Sequence, residues 1–255
     1  MRHVAAIACL LLSMTSYAGS ARAGWTATST LTNFRFGLAD LALGDGLAPA
    51  IYYQSASNML QASLRSDDGD YSDVRSTYLL PTPPATLRFD GPDASVLAQA
   101  LESPFGSHMS VSGSYDTINS WQYDIASASS TNYIYLALAP RTAVTLVFDM
   151  AMRLETDGTE SPYLLASANT SVSFSMPGQL STAAQALRSE YYPDGASIEG
   201  QYSISLSNDS DELKAASLSI RNYAQLVPVP VPEPAAYSLM LAGLALLAGF
   251  RRRWS

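Results

Sequence analysis

The most acidic stretch of the chain, Arg65-Ser66-Asp67-Asp68-Gly69-Asp70-Tyr71-Ser72-Asp73, is the first place to look for chemistry. Asp67, Asp68, Asp70 and Asp73 could supply oxygen ligands to a hard cation such as calcium. Their spacing is not that of an EF-hand loop, and the closing glutamate is missing. A solvated acidic loop is therefore the expectation, with no cofactor and calcium as the alternative. His108 sits in Ser-Pro-Phe-Gly-Ser-His-Met-Ser-Val, residues 103–111, and is expected in an exposed loop. A Ser-His-Asp triad through it is arithmetically possible, but no Gly-x-Ser-x-Gly turn surrounds any serine. Neither glycine pattern that cradles phosphate occurs. The 15 tyrosines, with adjacent pairs at Tyr52-Tyr53 and Tyr191-Tyr192, offer sugar-stacking surfaces, although tyrosine equally suits strand faces. The expectation is a protein that is not an enzyme. Carbohydrate binding is the alternative, and a hydrolase using an unrecognised carboxylate pair comes third.

The two ends carry stronger signals. Arg2 and His3 precede an apolar run from Val4 to Met14, and Ala21-Arg22-Ala23 has the small-x-small form of a signal peptidase site. Residues 1–23 are thus expected to be a secretory signal peptide, passed through the translocon and cleaved between Ala23 and Gly24. A buried first helix would need a polar face, which Val4 to Leu12 lacks. The single cysteine, Cys9, lies inside this segment, so the exported part is cysteine-free and cannot rest on disulfides or thiolate zinc sites. After cleavage His108 is the only histidine.

Charge separates the ends from the body. The whole chain has 14 Lys and Arg against 22 Asp and Glu, a net charge of −8. Residues 24–232 hold 9 of those basic residues and 21 of the acidic ones, near −12. Such a body has no electrostatic footprint for nucleic acid or anionic lipid.

Three arginines nevertheless stand together almost at the last residue. Before them, Pro228, Pro230, Pro232 and Pro234 alternate with Val or Glu, which favours an extended polyproline-like backbone over residues 227–234. Ala235 to Phe250 is a run of 16 uncharged residues. As a helix it would span roughly 24 Å at 1.5 Å per residue, short of the ~30 Å hydrocarbon core unless the Arg251 stem reaches the interface. Arg251, Arg252 and Arg253 would hold the cytoplasmic end, leaving the body outside. Residues 235–255 are expected to be a single transmembrane helix with a basic end.

Pro232-Glu233-Pro234, the apolar run with Gly243 and Gly249, and the arginine cluster together resemble the PEP-CTERM sorting signal of Gram-negative bacteria, over residues 230–255. The three parts stand in order at the terminus, which makes the resemblance specific, although it describes handling and not activity. It implies exosortase, a membrane-embedded cysteine protease, as the partner that reads the motif. It further implies transient anchoring at the inner membrane, followed by release to the cell surface or an exopolysaccharide matrix. Glu233 is the one charge beside the cleavage region and a natural recognition handle. "LTNFRFGLADLALGDGLAPAIYY" and "LALAPRTAVTLVFDMAMRLETDG" are also similar to the bodies of other such proteins.

Between the signals, period-two patterning dominates. Val144, Leu146, Phe148, Met150, Met152 and Leu154 fall on one face of a strand, and Thr145, Asp149, Arg153 and Glu155 on the other. Ile198, Tyr202, Ile204 and Leu206 alternate with serines. The Asn208-Asp209-Ser210-Asp211 turn and a return through Leu218 and Ile220 then predict a β-hairpin. Shorter strands fit Leu31–Leu38, Ala50–Gln54, Thr86–Phe89, Met109–Tyr115, Ser120–Ile125, Tyr133–Ala137 and Thr170–Met176. Short helices are expected at Ala94–Leu101 and Thr182–Tyr191. Short strands at regular spacing, with Gly, Pro, Asn and Asp between them, predict one all-β domain over 24–226, an antiparallel sandwich or jelly roll.

Overall fold

A computed structural model of the protein describes residues 22–44, 46–66, 69–77, 83–91, 94–101, 105–116, 125–157 and 164–228. The described residues form twelve strands: β1 (Arg22–Asp40), β2 (Ile51–Ser66), β3 (Gly69–Thr77), β4 (Ala85–Asp90), β5 (Ala94–Ala100), β6 (Ser107–Asp116), β7 (Ala126–Leu138), β8 (Thr142–Thr156), β9 (Leu164–Met176), β10 (Gln179–Arg188), β11 (Ala196–Asn208) and β12 (Lys214–Pro228). They build two antiparallel six-stranded sheets. One has the order β11-β8-β1-β6-β5-β4 and the other β10-β9-β12-β7-β2-β3. The sheets face one another as a sandwich, with β1 over β9 and β12 and with β5 over β2 and β7. This is the all-β architecture that the alternation predicts.

The alternation is what selects it. On β8 the six apolar residues from Val144 to Leu154 are all at most 2% exposed, and the intervening ones face outward. β9 and β12 answer from the second sheet with Val172, Phe174, Leu218 and Ile220, all fully buried. Phe148 stacks on Phe34 at 5.4 Å between ring centroids and on Tyr202 at 6.1 Å. β8 is an interior strand, flanked by β11 and β1.

Polar groups also cross the interior. Ser29 on β1, Thr170 on β9 and Asn222 on β12 are buried together. The Ser29 hydroxyl lies 2.7 Å from that of Thr170 and donates to Asn222 Oδ1, which also accepts from Thr170 at 3.0 Å. Asn222 Nδ2 donates to the Ser29 carbonyl at 3.1 Å and to the Ser107 hydroxyl at 3.0 Å. Each partner answers another, so the cluster locks the two sheets in one register without an orphaned group. Outside, hydroxyls pair across strands, as at Ser63–Ser127, Ser95–Ser112 and Ser175–Ser217. The serine-rich alternation is thus largely the outer face of the sheets.

Three expectations are corrected. The segments around Ile204 and Leu218 are strands but not a hairpin, because β11 pairs with β8 while β12 pairs with β7 and β9. Asn208 braces the crossing. Its buried amide donates to the carbonyls of Leu138, Ala139 and Glu212 at 3.2, 2.9 and 2.7 Å, and its Oδ1 accepts from Ser210. These bonds tie the exposed connection from β11 to β12 to the exit of β7. The two expected helices are β5 and β10. Alanine and glutamine suit a helix in isolation, but Ala94, Val96 and Ala98 alternate into the core, and burial overrides propensity. The acidic stretch is not a free loop either, since Gly69 to Ser72 of β3 pair with Leu64–Ser66 and Ser63 of β2. Of the strand expected at Ser120–Ile125, residues 120–124 lie outside the described residues, and Ile125 precedes β7 without joining it.

Candidate functional site

Most of the sequence-predicted site residues lie outside the described residues. These are Ala21, Asp67, Asp68, the Pro232-Glu233-Pro234 motif, the 235–250 span and Arg251, Arg252 and Arg253. Among the described residues no helix is long and apolar enough to cross a membrane. Asp70 and Asp73 belong to β3, opposite Arg65 and Ala62 of β2, and Asp73 is exposed. Among the described residues no three His, Cys, Asp or Glu side chains gather closely enough to hold a metal ion. Ala23 and Gly24 follow Arg22 at the start of β1, opposite Tyr115 and Ser114 of β6. The Gly24 amide donates to Asp157 Oδ2 at 2.9 Å, and the Asp157 amide returns a bond to the Gly24 carbonyl at 3.2 Å. An α-ammonium produced by cleavage after Ala23 would therefore meet a carboxylate already in place.

His108 is not in a loop. It lies on β6, half-buried, with Nδ1 2.7 Å from the Thr30 hydroxyl on β1, and burial lowers its pKa from the ordinary histidine value. A neutral imidazole bonded to a threonine, with no carboxylate behind it among the described residues, does not make a triad.

The chemistry that the fold does assemble is on the outer face of the second sheet. There β7, β12, β9 and β10 lie side by side and enclose a trough of about 490 Å³. Its floor follows from register. Tyr223 on β12 sits between Ser129 on β7 and Asn169 on β9, and Asn169 faces Ala186 on β10. The next row outward is Ser127, Gln225, Ser167 and Arg188, and the row on the other side is Thr131, Arg221, Ser171 and Ala184. Small side chains on β9 and β10 leave the space that the larger residues border. The Arg221 guanidinium lies over the Tyr133 ring at 5.6 Å from its centroid and donates to the Tyr133 hydroxyl. Burial raises the Tyr223 pKa, keeping its phenol protonated and able to donate. Glu190 stands at the rim beyond Arg188.

Sequence reasoning missed this constellation. It named Tyr52-Tyr53 and Tyr191-Tyr192, which are exposed but lie in the starting residues of β2 and in the turn after β10. The usable signal was the alternation Ser219, Arg221, Tyr223, Gln225, which places all four on one face once the intervening Ile220, Ala224 and Leu226 are read as core.

The described body is thus an all-β sandwich with a polar and aromatic trough on one outer face. Residues 230–253 match the PEP-CTERM protein-sorting motif. The chain therefore carries the signal of exported proteins of Gram-negative bacteria that exosortase processes and that are held to the membrane through the C-terminus. No curated protein matches the chain.

Proposed function

We propose that the protein is a non-catalytic β-sandwich, exported through an N-terminal signal peptide and the translocon. Signal peptidase releases Gly24, and exosortase then sorts the body to the cell surface or into an exopolysaccharide matrix. The observation that carries this reading is the PEP-CTERM motif at residues 230–253. Two further features support it. The body is rich in acidic residues, so it is soluble and self-repelling outside the cell. The buried polar groups Ser29, Thr170, Asn222 and Asn208 bond to one another or to backbone and hold the sandwich together.

Substitution at the tail tests the reading. Glu233→Ala leaves the apolar run and the arginines unchanged, so the span still inserts while recognition by the protease fails. The full-length form should accumulate in the membrane fraction of cells separated on a gel. Replacing Arg251, Arg252 and Arg253 with serine removes the charges that are costly to draw through hydrocarbon. That variant should lose its fixed membrane position while export continues. A Glu233→Ala protein processed like its parent would leave the matrix reading without support.

A second reading is that the body contacts carbohydrate, and the trough of Arg221, Tyr223 and their neighbours favours it. Sugar rings present apolar C–H faces to an aromatic ring and hydroxyls to amides and guanidinium groups, all of which this face supplies. Retention on a glycan column that Tyr223→Ala abolishes is the expected result.

A further inference from the structure

We propose that the trough on the outer face of β7, β12, β9 and β10 binds a segment of carboxylated polysaccharide, a chain of uronic-acid type. The assignment rests on the carbohydrate reading above and gives it a site and a charge. Two guanidinium groups border the trough. Arg221 and Arg188 are separated by two strand spacings and by four residues along the strands, as the register rows show. At about 4.8 Å between strands and 3.4 Å per residue, their Cα atoms stand roughly 17 Å apart, room for more than one sugar ring. Both side chains are exposed, and neither has a carboxylate partner among the described residues. In a chain with 22 acidic and 14 basic residues, two arginines without a carboxylate partner on one face are a local exception to the overall charge. Arg141 and Arg153, by contrast, are each paired with an acidic neighbour.

The centre of the trough complements a sugar and not a bare anion. Tyr223 offers a half-buried ring with a protonated hydroxyl, and Asn169 and Gln225 offer amides that donate and accept. Arg221 is held against Tyr133 through Nη2, which restricts its rotamers and leaves its other N–H groups for a carboxylate. Glu190 at the rim opposes the same ligand and moderates its affinity.

The full-length protein in mild detergent, with EDTA present to exclude calcium bridging, is titrated calorimetrically with a galacturonic acid hexamer and separately with a glucose hexamer. The uronate should bind and the glucan should not, and added salt should weaken the binding as it screens exposed charge. Arg188→Gln and Arg221→Gln should each weaken binding by roughly tenfold, the order expected for one exposed charge-assisted contact. Glu190→Gln should tighten it. Melting curves matching the parent establish that each variant is folded. The proposal is overturned if the uronate does not bind, if glucan binds equally well, or if binding ignores all three substitutions. Processing at Glu233 is scored independently, so a failed titration with normal sorting removes only the glycan site.

Discussion

His108 shows how burial converts one side chain into a pH sensor of stability. On the outward side of β6 its immediate neighbours across the ladder are Thr30 and Gln99, both neutral, and burial holds its pKa below the ordinary histidine value. As pH falls through ~6.5 the unfolded chain takes up a proton that the folded chain refuses, so stability is present above that pH and declines below it. Thermal melts at pH 7 and pH 5.5 should show a drop for the parent and a smaller drop for His108→Gln. Phe148 is the corresponding test of packing. It is fully buried between Phe34 and Tyr202, and Phe148→Ala should cost about 3–5 kcal/mol in denaturant unfolding. A loss under ~0.5 kcal/mol would place the core elsewhere.

At the scale of elements, the crossing between β11 and β12 is braced by one buried side chain. Asn208→Ala removes the donor from three carbonyls, two of which, Leu138 and Ala139, belong to the end of β7 and its exit. Leaving such carbonyls unsatisfied should destabilise the protein by about 2–3 kcal/mol. Asn208→Asp should not rescue it, because a carboxylate only accepts. Arg141 reinforces the same crossing, with its Nη2 2.8 Å from Asp211 Oδ1. The neighbouring edge strands β10 and β11 are managed differently. β10 and β11 belong to different sheets, yet the Gln179 side chain donates to the Ser207 carbonyl at 2.9 Å and accepts from its amide at 3.1 Å. A side-chain amide thereby occupies one backbone position on an edge that would otherwise invite another chain. The turn between β9 and β10 was legible, since Pro177-Gly178 is a two-residue connection and Gly178 has φ of +82°. Reading it would have turned the expected helix at Thr182–Tyr191 into a returning strand.

For the whole molecule, the strands run from Arg22 to Pro228, just beyond the boundaries expected at 24 and 226. Both sheets carry their own apolar faces, and β1 and β12, which border the two terminal segments, each lie between two partner strands. The body should therefore fold without either end. A chain of residues 24–228 should melt cooperatively, within a few degrees of the same body in the full-length protein. A broad, non-cooperative melt would show that an end contributes to the core.

The sequence by itself determined the fold class and the handling signal, because both are local patterns. A strand face repeats every two residues, and the sorting motif occupies one continuous stretch, so neither needs a partner from elsewhere in the chain. Val144 to Leu154 was readable as a buried face for this reason. Strand partners were not readable in the same way. Hydrogen-bonding capacity is alike in every strand, so the sequence around Asn208 could not distinguish a return within one sheet from a crossing between two. The trough was hidden by the same limit. Arg188 and Arg221 are 33 residues apart and come to border one surface only when β9 pairs with both β10 and β12. That pairing is decided by the packing of the two apolar faces against each other, and only the tertiary structure holds it.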